Sequence, residues 1–380
     1  MEGKVGLLVF APYYPPHVGG LESHAHEFNI HASGRGYDIT VWTARLPNHI
    51  PEYEEVDSIK IFRYPVIELL GGFPVPAIWS PTFRNQYKEI SSRAYEVVIS
   101  RTRFFLSSCI ALTYAKIKDI PLLHIEHGSD YVHLHSILAT AVAYAYDQTF
   151  GRLVIQKADI VVANSNASAT FVQNLTQNSV HPHVIYRGVK QDAIINAIAD
   201  KKTSDAITIC YVGRLINGKG VQDLVTALSI LSVTSRVVCW IIGDGPMKKE
   251  LEQLSTRYNL ESKIIFLGQM NNDQAISYIK SCDIFINPSY TEGIPTSVIE
   301  AALCKRAIIA TDVGGTNEII THNESGILIA PHASKEMAEA LALLITNPEL
   351  RQKIGKEAYN QNKSRFSWEH AMNQYEAILR

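Results

Sequence analysis

Ile207-Thr-Ile-Cys-Tyr-Val212-Gly213-Arg214-Leu-Ile-Asn-Gly218-Lys219-Gly220 is a β-prone run that breaks into a loop of glycines and cations. A strand apolar on both faces must be covered on both, as in a parallel sheet with helices above and below. Similar runs follow at 237–242, 264–267, 284–287 and 307–310, and an earlier series occupies 5–10, 39–43, 97–99, 122–125 and 160–163. Helix-like segments separate them, such as the amphipathic stretch 21–33. Between the two series lies a polar segment, 192–205, that reads as an exposed linker. The pattern predicts two Rossmann-like α/β domains: an N-terminal one over 1–190, a linker over 191–205 and a C-terminal one over 206–360. Trp368, Ala371, Met372, Tyr375 and Ile378 recur at helical spacing, so 361–380 should close the chain with a helix packing back towards the N-terminal domain. In such folds ligands bind beyond the carboxyl ends of the strands, so the site should be sought in the loops that follow them.

Composition narrows the classes. The 380 residues are enough for two cores, and 35 Lys and Arg against 37 Asp and Glu leave a net charge of −2. Nucleic-acid binders carry a basic excess, so none is expected as a partner. The longest uncharged apolar run, 137–146, is too short to span a bilayer. The chain enters its first strand without a signal peptide, and five scattered cysteines (109, 210, 239, 282, 304) sit in mostly apolar segments. Both features suggest a cytoplasmic protein with reduced thiols.

Four loops carry unusual chemistry. Ala11-Pro-Tyr-Tyr-Pro-Pro-His-Val-Gly19-Gly20 ends in paired glycines before a helix, which lets a ligand approach the backbone, although a tight turn would read the same way. His124-Ile-Glu-His127-Gly128 follows a strand; His127 is placed to meet a hydroxyl or to serve as a structural histidine bonded to backbone. The His-x-His pairs at 24/26, 133/135 and 181/183 lack the company of typical zinc spacing, and no metal site is expected. The loop 213–220 sets Arg214 and Lys219 beside flexible backbone, suited to a diphosphate. It nearly matches a P-loop, but Gly220 stands where a magnesium-binding Ser or Thr is needed. Finally, Glu292 and Glu300 flank the start of a helix whose N–H groups could hold an anion; taken alone, they would pass for ordinary surface glutamates.

Together, these segments resemble the retaining glycosyltransferases of family 4, which have the GT-B fold of two Rossmann-like domains with parallel sheets facing across a cleft. Glu292-Gly-Ile-Pro-Thr-Ser-Val-Ile-Glu300 carries the family's Glu-x7-Glu motif, and Val212-Gly-Arg214 to Lys219-Gly220 matches its Gly-Arg-x4-Lys-Gly segment. Ile242-Gly243-Asp-Gly-Pro246, Phe266-Leu-Gly268 and Ile309-Ala-Thr-Asp312-Val-Gly-Gly315 fit further motifs, with Gly19-Gly20 and His127-Gly128 on the acceptor side. The likeness covers nearly the whole chain and is weakest over 45–120.

The resemblance implies a hexosyl transfer from a nucleotide diphosphate sugar, with retention and without a cofactor or metal. Arg214 and Lys219 would hold the diphosphate, with Gly213 and Gly243 in the donor-binding loops. Glu300 would take the ribose hydroxyls, and Gln269 and Met270 would line the base. Glu292 and the N–H groups of Gly293, Ile294, Thr296 and Ser297 would surround sugar and phosphate, His127 would touch the sugar, and Gly19 and Gly20 would keep backbone close. Pro295, where many members have glycine, removes one N–H donor. No Asp-x-Asp occurs to hold a diphosphate through a cation. A UDP-sugar is expected over GDP-mannose.

Seven Lys or Arg against two acidic residues over 84–118, following the apolar stretch 69–79, suggest an anionic membrane surface and a lipid-linked or glycan acceptor in envelope or glycoconjugate assembly. A basic solvated helix beside a buried loop is the plainer alternative. A GT-B nucleotide-sugar epimerase and a non-catalytic nucleotide-sugar-binding module are competing functions. A dinucleotide oxidoreductase would want Gly-x-Gly-x-x-Gly after the opening strand, and none is there.

Overall fold

The computed structural model describes residues 5–17, 19–69, 73–132, 136–199, 201, 205–234 and 236–379. The chain forms two compact units, one of Met1–Arg187 with Ala371–Arg380, the other of Gly188–His370.

The N-terminal unit is built on an eight-stranded sheet. Its strands are β1 (Gly6–Ala11), β2 (Asp38–Ala44), β3 (Tyr53–Val56), β4 (Ile59–Tyr64), β7 (Val97–Arg101), β8 (Leu122–Glu126), β9 (Ile160–Ala163) and β10 (His183–Val184); β5 (Val66–Leu69) and β6 (Phe73–Pro76) form a separate hairpin. The order is β10-β9-β8-β7-β1-β2-β4-β3, parallel except for the β3–β4 pair. β1, β7 and β8 are buried along their whole length: β1 is apolar throughout, while β7 and β8 start apolar and carry buried polar or charged residues, Ser100, Arg101, His124 and Glu126, towards their carboxyl ends. The unit's large core gathers Phe10, Trp42, Phe62, Tyr64, Phe83 and Tyr114, and rings in it meet at tilted and edge-on angles, as Trp42 with Tyr64 at 5.7 Å.

The C-terminal unit has six parallel strands, β11 (Ile207–Val212), β12 (Val237–Ile242), β13 (Ile264–Gly268), β14 (Ile284–Asn287), β15 (Ala307–Thr311) and β16 (Ile327–Ile329), in the order β13-β12-β11-β14-β15-β16. This is the doubly wound order, and the connections diverge between β11 and β14. Ile209, Ile241, Ile284, Ile286 and Ile309 are fully buried, each contributing roughly 1.5–3 kcal/mol of hydrophobic stabilisation.

Three differences from the sequence reading have physical causes. The segment read as a linker begins with a helix, Gln191–Asn196, because Ile194 has somewhere to bury; Lys280 Nζ donates 2.9 Å to its carbonyl. The apolar stretch before Trp79 includes hairpin strand β6, while its residues 70–72 lie outside the described residues. In the region 45–120, β3 is an edge strand that meets water through Tyr53, Glu55 and Val56 while Glu54 pairs with buried Arg63, so it lacks the apolar pattern of an inner strand. The last helix, Trp368–Leu379, buries Tyr375 against Phe28, with ring centroids 4.9 Å apart, and Arg35 bridges Glu376 at 3.1 Å. Among the described residues no helix is long and apolar enough to cross a membrane.

Candidate functional site

The loops after β11 and β14 leave the sheet of the C-terminal unit at its switch point, and the structure stitches them together. Lys219 Nζ donates 2.5 Å to Glu292 Oε1, and Ser289 Oγ donates 2.7 Å to the same oxygen. The Tyr290 N–H donates to the Gly218 carbonyl at 2.9 Å, while its hydroxyl donates 2.8 Å to Asp223 Oδ2 and accepts from Gln222 Nε2 at 2.7 Å. His332 stacks on the Tyr290 ring at 3.7 Å. Gly220 makes the approach possible: its φ is +65°, and a Cβ there would stand 1.9 Å from the Pro288 carbonyl oxygen. Arg214 is exposed and forms no ion pair among the described residues. The loop therefore presents a free guanidinium beside a lysine already engaged with a carboxylate.

Neighbouring loops complete this edge. Gly243, with φ +139°, lies so close to Gly213 that a Cβ would meet the Gly213 carbonyl oxygen at 1.9 Å. Gly293 accepts from the Gly315 N–H at 2.9 Å, Ile294 is buried, and Thr296 and Ser297 open the helix Thr296–Leu303 after Pro295. The two glutamates take separate partners: Glu300, buried on that helix, accepts from Asn272 Nδ2 at 3.1 Å. Asn272 opens the helix after β13, so the Glu300 carboxylate is tied to the loop that carries exposed Gln269 and half-buried Met270. Sequence reasoning missed Asn272 and Tyr290; each lies two positions from a motif residue, Met270 and Glu292, and that closeness was the available signal.

In the N-terminal unit, β8 delivers a buried charge network. Glu126 accepts from Arg103 Nη1 (3.1 Å), the Arg103 N–H (3.1 Å), His124 Nε2 (3.3 Å) and the N–H groups of His127 (3.0 Å) and Gly128 (2.7 Å). Burial works against the Glu126 charge, but Arg103, His124 and the Gly128 N–H outweigh it and hold the carboxyl well below the usual range. Arg103 also donates 2.9 Å to Asp147, whose carboxyl burial pushes up against the pull of that guanidinium. Glu126 therefore acts as a brace that fixes the turn through His127 and Gly128.

His127 sits in that turn with Nδ1 3.4 Å from Asn164 Nδ2 and its ring edge-on to His24 at 4.8 Å. Its Nε2 is buried and has no hydrogen-bond partner among the described residues. Burial first, then the charge of Arg101, hold its imidazole neutral down to about 3. His24 accepts 2.8 Å from Arg101 Nη1, and burial holds it well below its ordinary value too. Arg187 Nη1 donates 3.3 Å to the Gly20 carbonyl. The paired glycines differ: a Cβ on Gly19 would strike Glu22 Oε2 at 2.5 Å, whereas one on Gly20 would meet nothing within 4 Å. Arg101, Arg103 and Arg187 escaped sequence reasoning, although Arg101, a charge that closes the strand Val97–Arg101, was a usable sign. Among the described residues no three His, Cys, Asp or Glu side chains are arranged to hold a metal ion; His133 and His135 lie outside them.

Comparison with known proteins agrees with this architecture. Residues 18–193 match the Glycosyltransferase Family 4 model and 195–361 the model for Glycosyl transferases group 1. The chain is 34% identical to an uncharacterized glycosyltransferase of Methanocaldococcus jannaschii, over 99% of this chain and 98% of that protein. It is 33% identical, over 88% of both chains, to TuaC of Bacillus subtilis, a glycosyltransferase named for teichuronic acid biosynthesis. Sucrose-phosphate synthase from Thermosynechococcus elongatus superposes with a TM-score of 0.84 at 19% identity, covering 99% of this chain and 98% of that one. Anabaena HepE, solved in complex with UDP, superposes at 0.74 with 21% identity over 99% of each chain. The two halves thus match, in order, the two parts of one enzyme family, and the chain belongs to the family 4 glycosyltransferases of GT-B fold.

Proposed function

We propose that the protein transfers a hexosyl unit, with retention at the anomeric carbon, from a nucleotide diphosphate sugar to a glycan or lipid-linked acceptor. The observation that carries this reading is the Lys219–Glu292 pair beside exposed Arg214 at the switch point of the C-terminal sheet. An arriving diphosphate finds two cations, and Lys219 can share its charge between phosphate and Glu292. Glu292 is then left to accept from sugar hydroxyls, while Glu300, steadied by Asn272, takes the ribose and Gln269 and Met270 flank the base. In the N-terminal unit, the unpartnered Nε2 of neutral His127 can bond a hydroxyl. Gly20 leaves open space where a side chain would stand. The anomeric carbon–phosphate oxygen bond breaks and the acceptor oxygen bonds the same face, its proton passing to the departing phosphate. Two cations and a helix start let the donor bind without metal. A uridine nucleotide is proposed over GDP-mannose, supported by the UDP held in Anabaena HepE. A cytoplasmic setting is proposed with it.

Thermal stability with UDP, GDP and ADP, each with and without magnesium, tests the donor. A ligand at a hundred times its dissociation constant adds about 2.7 kcal/mol. The expected result is stabilisation by UDP, independent of magnesium and lost in Arg214→Ala. No shift with any nucleotide at millimolar concentration would overturn the reading. Retention is read from the anomeric configuration of the product, and a glycosyl adduct trapped on a carboxylate would replace the same-face route by double displacement.

A further inference from the structure

Three imidazoles gather around the carboxyl end of β8, and what their ring nitrogens face decides where each proton lies. His124 turns Nε2 to Glu126 at 3.3 Å; that carboxylate is held ionised and can only accept, so the nitrogen carries a proton. His24 receives Arg101 Nη1 on Nδ1 at 2.8 Å; a guanidinium can only donate, so this nitrogen is bare. His127 is decided less directly. Its Nδ1 lies 3.4 Å from the side-chain amide of Asn164, a group that donates at one end and accepts at the other.

A line of buried hydroxyls turns that amide. Asn164 follows β9, with its backbone N–H donating 3.2 Å to the Glu126 carbonyl. Ser165 caps the helix Asn166–Leu175, its Oγ accepting from the Ser168 N–H at 3.0 Å. The same hydroxyl donates 3.0 Å to Ser168 Oγ, which in turn donates 2.9 Å to Asn164 Oδ1. Both serines are fully buried. With Oδ1 taken by Ser168, the Nδ2 end is what meets His127, so Nδ1 of that ring accepts. Burial and then the Arg101 charge keep the ring neutral at neutral pH, and its single proton therefore lies on Nε2. Hydrogen bonds that run in one direction polarise and strengthen one another. This line, from Ser165 through Ser168 and Asn164 to His127, ends on a buried N–H that has no partner among the described residues.

We propose that Asn164 is a positioning residue for the transferase: held by Ser168, it fixes His127 as a hydrogen-bond donor through Nε2, for an oxygen of the transferred sugar. The tautomer matters because donor and acceptor select different ligands. An N–H bonds the lone pair of a hydroxyl, carbonyl or carboxylate oxygen and repels an ammonium, whereas a bare nitrogen favours the ammonium and repels the carboxylate. The tautomer is a property of the free protein; only the bond to the sugar rests on the proposed function.

Nitrogen-15 NMR of the intact protein, labelled on its histidine rings and free of nucleotide, tests the proposal, with His127→Gln identifying the His127 signals. At neutral pH the parent should show Nδ1 bare and Nε2 protonated. Asn164→Asp keeps the size of the side chain but presents a carboxylate, so it should bring a proton onto Nδ1. Ser168→Ala frees the amide to turn and should give a mixture of the two tautomers. In a donor-turnover assay Asn164→Asp should lower kcat/KM about tenfold or more, and Ser168→Ala about threefold. Thermal stabilisation by UDP should stay as in the parent, which shows that both variants fold. A parent spectrum with the proton on Nδ1, or an Asn164→Asp spectrum identical to the parent's, would overturn the assignment. Reversal of the tautomer with unchanged turnover would overturn the role in transfer. A parent that turns over no donor would overturn the transferase reading and that role with it, while the spectra still decide the tautomer.

Discussion

Lys219 and Glu292 hold each other at 2.5 Å before any substrate arrives, so each has its partner's orientation to lose. If Lys219 and Arg214 meet the phosphate as proposed, Lys219→Ala removes one of two cations there and should lower kcat/KM about 10²–10³-fold in a donor-turnover assay, with the fold unchanged by circular dichroism. His127 offers a second test, through pH. Its imidazole stays neutral down to about 3 in the folded chain, against an ordinary value of 6.5 when unfolded. Between those values the unfolded chain binds a proton that the folded chain refuses, so stability falls as pH falls, by at most about 1.4 kcal/mol per unit. His127→Gln should remove that part of the slope: urea midpoints of parent and variant, compared from pH 7 to pH 4, should show the parent losing more.

At the scale of elements, the loops after β11 and β14 act as one piece because Tyr290 fastens them. Tyr290→Phe deletes the hydroxyl bonds to Asp223 and Gln222. It should cost about 1–2 kcal/mol in urea unfolding and raise the donor KM while the backbone bond to Gly218 keeps the loops in place. The strands that frame these loops were legible in the sequence because β11, β12, β14 and β15 are wrapped on both faces and must be apolar throughout. β3 was not, since Tyr53-Glu-Glu-Val56 is an edge on which Glu55 faces water and Glu54 answers to Arg63, a residue the fold brings beside it. The motif residues were legible for a related reason: glycines at positive φ and cations after strands are local features. The partners of those residues were not. That Glu126 would gather Arg103, or Glu300 would take Asn272, depends on chain segments brought together only by the fold.

For the whole molecule, the last residues belong with the first. Tyr375 is fully buried on Phe28, and Arg35 reaches both Asn373 and Glu376, so the N-terminal unit is covered by residues made more than three hundred positions later. Tyr375→Ala should destabilise the protein by about 3–5 kcal/mol, as for other large buried rings, and calorimetry of the intact chain would read the loss. The same return of the chain has a consequence for biosynthesis. Closing a loop of that length adds little to the equilibrium cost, because the entropy grows only with the logarithm of length. In time the cost is larger. Domains made early on a ribosome usually finish folding while the rest is being synthesised. Here the first half must wait, with Phe28 uncovered, until the segment that carries Tyr375 has been translated, so a chain stopped before that segment yields no finished N-terminal unit.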